Sequence, residues 1–136
     1  MTPVTCVTEP KYTCPIENKK FYMAFIPAVL LTVGIAIISL MESSYVPQVM
    51  SAKDKLIHGV MYALLAISWA VPLADKKASL WVLLSVIGYG ALMEALQRFC
   101  TLTRSGEMAD LYADAIGAAI GIILVIVWRR LSSRLH

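Results

Sequence analysis

Apolar and polar positions alternate along this chain in long blocks. Four apolar windows, Phe21–Leu40, Leu56–Ala74, Ala78–Leu96 and Leu111–Trp128, are separated by short polar stretches. The first window contains no ionisable residue, and the others contain one each: His58, Glu94 and Asp114. Each window approximates the ~20 residues that carry a helix across ~30 Å of hydrocarbon. Backbone groups in lipid must be bonded internally, so the windows read as helices despite many Val and Ile. Pro27 and Pro72 lie near window ends, where few hydrogen bonds are lost. The first window is long for the apolar core of a signal peptide, and no small-x-small cleavage site follows within Met41–Val46, so it reads as a span. Ser51 with Asp54 resembles a capping box and starts the second helix near Ala52, while Ser105-Gly106-Glu107 reads as the cap and acidic first turn of the fourth. Asp75–Lys77 reads as a tight link between the second and third spans. The expected fold is all-α: an integral membrane four-helix bundle over residues 21–136, with spans at 21–40, 56–74, 78–96 and 111–128. Residues 1–20 form a loosely ordered tail in this reading.

Composition supports the membrane as solvent. Of 136 residues, 59% are apolar and 15% charged, with a mean hydropathy of +0.72. Soluble domains are about 45–50% apolar and about 25% charged, and a chain this short cannot hide such an excess. Disorder and a soluble enzyme domain are excluded on these grounds. A net charge of +3 without a basic stripe between aromatics excludes nucleic acid as a partner. Cys6, Cys14 and Cys100 read as free thiols, since their spacing fits no zinc pattern.

Charge placement gives an orientation. The N-terminal tail, the second link and the C-terminal tail share eight positive residues: Lys11, Lys19, Lys20, Lys76, Lys77, Arg129, Arg130 and Arg134. The opposite side has four, Lys53, Lys55, Arg98 and Arg104. The bias predicts cytoplasmic N- and C-termini. Tyr12, Tyr22 and Trp128 then read as interfacial anchors, and Glu42 and Lys53 as solvated loop charges.

Alternating spans place His58, Glu94 and Asp114 near one end of the bundle, the outward one in this orientation. Asp54, His58 and Tyr62 share a helix face by spacing; so do Glu94, Gly90, Gln97 and Arg98. Asp110, Asp114, Gly117 and Gly121 run down one side of the fourth span, and the two glycines form a small-xxx-small packing surface. Ionisable groups inside a membrane are functional suspects by default. The expected site comprises His58, Glu94, Gln97, Arg104 and Asp110, with Lys55, Tyr62 and Asp114 beside them. Arg104 is expected to pair with Glu94 or Asp110.

Two ordered blocks resemble the VanZ-like membrane proteins. One is Asp54-Lys55-x-x-His58-x-x-x-Tyr62 followed by Leu64-Leu65. The other is Tyr89-Gly90-x-x-x-Glu94-x-x-Gln97-x-Phe99, then Arg104, Asp110, Gly117-Ala118 and Gly121. Together they cover about residues 51–125. The chain departs from the family pattern at Asp114, where the family usually shows Asn, and at Met93-Glu94, where an acidic pair is familiar. The family's name comes from a protein linked to low-level resistance to the glycopeptide teicoplanin. The resemblance therefore implies a place in the bacterial envelope, in the cytoplasmic membrane.

Three functional readings follow. In the first, the protein binds or processes an anionic lipid-linked envelope precursor. Lys55 and Arg104 would hold phosphate and His58 with Glu94 would transfer a proton. In the second, the outward half, with six acids against four Lys and Arg, holds a proton or a divalent cation through His58 and two carboxylates. In the third, the polar cluster only holds a non-catalytic accessory protein together. Membrane lipids are partners in all three, and none fixes the oligomeric state.

Overall fold

The computed structural model describes residues 21–40, 51–73, 75–100 and 108–134, with residues 51–54, 76 and 100 as backbone only. It contains four main helices: α1 (Ile26–Leu40), α2 (Ser51–Ala70), α3 (Lys76–Cys100) and α4 (Met108–Ser132). No strand occurs among the described residues. The tail, Cys6, Cys14, Glu42, Arg104, the expected cap at 105–107 and the side chains of Ser51, Lys53, Asp54 and Cys100 lie outside this description.

The third and fourth helices extend beyond their apolar windows at both ends, and proline sets two other boundaries. The first window is not one helix. A helical turn at 21–23 closes with Ala24 N–H to Phe21 O and Phe25 N–H to Tyr22 O, and α1 begins only at Ile26. Pro27 has no N–H to donate to Met23, so the four-residue ladder cannot run through this point. At the other boundary α2 stops at Ala70 instead of residue 74. Pro72 disfavours helical geometry at Val71, and the chain turns with Leu73 N–H bonding Ala70 O at 3.0 Å. Asp75 then caps α3: its carboxylate accepts from Lys77 N–H at 3.1 Å, and its carbonyl accepts from Ser79 N–H at 3.2 Å. Lys76 and Lys77 therefore belong to the first turn of α3 and not to a loop.

Cross-helix contacts fix the topology. Gly59 meets Gly117 and Ala63 meets Gly121, so α2 and α4 run parallel. Thr32 bonds Tyr89 and Ser39 bonds Gln97, so α1 and α3 run parallel too. Phe25, just ahead of α1, and Thr32, in its first half, meet Trp69 at the end of α2, which makes α1 antiparallel to α2. The result is an up-down-up-down bundle. The most extensive packing is between α2 and α4, and α2 and α3 each touch all three other helices. Its core contains Ile35, Tyr62, Leu65, Ala66, Val82, Val86, Ala118 and Ile122.

The outside of the bundle is as apolar as the inside. Leu30, Trp81 and Ile116 are each at least 60% exposed, a surface suited to lipid and not to water. Phe21–Leu40, Lys77–Phe99 and Met108–Ser132 are long and apolar enough to cross a membrane. The apolar part of α2, Lys55–Ala70, is shorter. Its 20-residue helix is still ~30 Å long, and its polar first turns are the part that contributes to the site.

Candidate functional site

Three ionisable side chains from three helices meet at one end of the bundle. His58 projects from α2, Glu94 from α3 and Asp114 from α4, and one ligand-type atom of each lies within 4.8 Å of the others. Their common depth follows from chain geometry: each lies six or seven residues inside its helix terminus, or ~9–10 Å at 1.5 Å per residue.

The α2–α4 contact sets the closest pair. A Cβ at Gly117 would overlap the Gly59 backbone, and one at Gly121 would lie 2.5 Å from Ala63 O. Only glycine permits this approach. His58 precedes Gly59, and Asp114 lies one turn before Gly117. Where the backbones touch, His58 Nδ1 therefore hydrogen-bonds Asp114 Oδ1 at 3.1 Å, with side chains 15% and 1% exposed. A buried carboxylate needs such partners. Tyr62, one turn below His58, is 2% exposed, and its ring lies with the Asp114 carboxylate against Gly90. Gly90 completes the wall, since a Cβ there would lie 3.1 Å from both Asp114 Oδ2 and Tyr62 Cε1. Glu94 is half-buried; its Oε2 is buried with no hydrogen-bond donor among the described residues, while the side chain has other interactions.

The remaining expected residues divide. Gln97 is buried but turned toward α1, where Nε2 donates to Ser39 O at 3.0 Å. It ties down the C-terminus of α1 beside the cluster. Lys55 and Asp110, partly buried in the first turns of α2 and α4, both engage neighbours. Arg104, with its expected pairing, lies outside the described residues.

Deeper in the bundle, Tyr62 and Tyr89 rings lie 6.2 Å apart. Tyr89 donates to Thr32 O at 2.6 Å, and Trp69 Nε1 donates to Thr32 Oγ1 at 3.1 Å, joining α1, α2 and α3. Below them is a cavity of about 500 Å³ lined mainly by apolar groups, including Leu65, Trp69, Val82 and Val86. At the far end Arg129 folds into the bundle. Its guanidinium donates to Ser79 Oγ at 3.2 Å, to Ala70 O at 2.5 Å and to Leu73 O. Sequence reading placed Arg129 among the tail charges. The signal that it could bond there was the end of α2, whose last carbonyls need donors. Gly59 was missed too, although Gly59 and Ala63 repeat the four-residue spacing of Gly117 and Gly121.

Fold and site together define a small helical membrane protein with an ionisable cluster enclosed near one end of its bundle. The VanZ/LLP1 family model matches residues 17–129, and the chain belongs to this family. No match was found among curated proteins or among solved structures.

Proposed function

We propose that this protein acts in the bacterial cytoplasmic membrane, where the His58 end of the bundle faces outward and binds an anionic lipid-linked envelope molecule. The observation that carries the reading is the convergence of His58, Glu94 and Asp114 from three helices. Lipid offers no water to these groups, so their clustering calls for mutual satisfaction or a polar ligand. Lys55, one turn outward from His58, supplies positive charge toward a phosphate-bearing head group. His58 and Glu94 are the pair suited to proton transfer, an imidazole and a carboxyl within reach of one another. The apolar cavity lies between α1, α2 and α3, with Leu65 ~10 Å deeper than His58 along α2. It offers room for hydrocarbon beneath the head group. The Lys and Arg bias supports cytoplasmic termini.

A direct test uses a polyprenyl phosphate and the corresponding polyprenol, each added to the purified protein in detergent and read by native mass spectrometry. Preferential retention of the phosphate, reduced at least tenfold in His58→Gln and Glu94→Gln, is expected. Equal retention of alcohol and phosphate would exclude head-group recognition. Cysteine labelling in intact cells tests orientation: residues introduced near Ser105 should react with impermeant reagents, and residues near Lys76 should not.

A further inference from the structure

We infer that His58, Glu94 and Asp114 form a binding site for one divalent first-row metal ion, such as Mn²⁺ or Zn²⁺. Metal–ligand bonds to nitrogen and oxygen are ~2.1 Å. Two donors on one ion are then ~3.0 Å apart at a right angle and ~3.4 Å apart in a tetrahedron. His58 Nδ1 and Asp114 Oδ1, at 3.1 Å, already have that separation. All three donor atoms fall within 4.8 Å of one another, so closing the set takes ~1.4 Å of movement. Glu94 can supply this by side-chain rotation, because it has three χ angles and is only half-buried.

Charge points the same way. Two carboxylates at this distance in a membrane repel one another, and a divalent cation seated between them and the imidazole offsets that repulsion. The donor set is one nitrogen and two carboxylate oxygens, a mixture that suits Mn²⁺ or Zn²⁺ better than an all-oxygen calcium site. Gly90 is an independent feature of the same place. A Cβ there would press on Asp114 Oδ2 and the Tyr62 ring, at 3.1 Å from each, so glycine lets α3 pack closely against the carboxylate and bring Glu94 toward it.

Three protein donors leave coordination positions open, the pattern of sites that bind substrate and not of closed structural ones. Resting on the proposed function, the open position would take a phosphate oxygen of the lipid head group. That explains how a cluster rich in acids can receive an anion: the ion reverses the local charge.

The test uses the full-length chain with its purification tag removed, stripped with EDTA and titrated with Mn²⁺ alone, which avoids thiolates. Electron paramagnetic resonance counts free and bound ion. One Mn²⁺ per chain is expected, with affinity reduced at least tenfold in both His58→Gln and Glu94→Gln. Asp114→Asn is measured too, but Asp114 is buried and its substitution perturbs the α2–α4 packing as well, so the other two decide. Wild-type protein that binds no Mn²⁺, or variants that bind it as wild type does, would overturn the inference. Polyprenyl phosphate binding is measured in parallel, with and without EDTA. If lipid binds and no metal does, the metal site is wrong and the ligand reading stands; if Mn²⁺ binds and lipid does not, the reverse holds.

Discussion

Both ends of this bundle bury charge, and they do so in opposite ways. At the Arg129 end, one fixed cation meets the carbonyls of Ala70 and Leu73 and the hydroxyl of Ser79. Every one of these partners is neutral, and the contact closes the end of α2 against α4. At the His58 end, two carboxylates and an imidazole share a space less than 5 Å wide. All three groups can change protonation state, and the sum of their charges depends on what joins them. The first arrangement is complete in the folded chain and serves to hold it. The second brings together groups of different charge and chemistry from three separate helices. Buried charge in a membrane protein therefore does not by itself mark a functional site.

The largest effect should come from removing the close approach on which the His58 end depends. In Gly117→Ala the added Cβ collides with the Gly59 backbone, and separating α2 from α4 should cost about 3 kcal/mol. Gly59→Ala is the control: its Cβ would make only an ordinary 3.5 Å contact with Ala113 O, and stability should change by under about 1 kcal/mol. Thermal unfolding in detergent, followed by tryptophan fluorescence, compares the two. Similar losses in both would mean that the helix contact does not set the site.

Arg129→Met tests the other end. It leaves two carbonyls and a hydroxyl without their charged donor and should destabilise by about 2 kcal/mol. Arg129→Lys should recover only part, because an ammonium cannot fork between the same acceptors. Polyprenyl phosphate binding per folded molecule should stay at the wild-type level in both, whereas His58→Gln should show the reverse, with lost binding and a stability change under about 1 kcal/mol. If Arg129→Met abolishes binding while folded, the two ends are coupled and the contrast fails.

Smaller effects separate supports from site. Asp75→Ala removes the α3 cap and should cost about 1 kcal/mol, with no change in ligand binding. Gln97→Leu removes the hydrogen bond to Ser39 O and should cost a similar amount. It should weaken binding only as far as α1 loosens beside the cluster, within about threefold. A complete loss of binding in folded Gln97→Leu would move this residue from a tie between helices into the ligand contacts.

The sequence by itself determined the membrane, the four helices and their alternation. Those depend on the length and apolar content of each window, and on the rule that backbone in lipid must bond within its own segment. It also placed His58, Glu94 and Asp114 at one depth, because depth follows from counting residues along alternating helices. Counting could not say which way each side chain turns about its helix axis. Gln97 and Glu94, three residues apart on α3, share a face by spacing. Yet one reaches α1 and the other meets α2 and α4, because α3 touches every other helix and its neighbours divide that face. The folding-in of Arg129 and the fit of Gly117 on Gly59 were likewise decided only by the tertiary structure. Each depends on which atoms of a distant segment arrive alongside, and a pattern of apolar and polar positions carries no record of that.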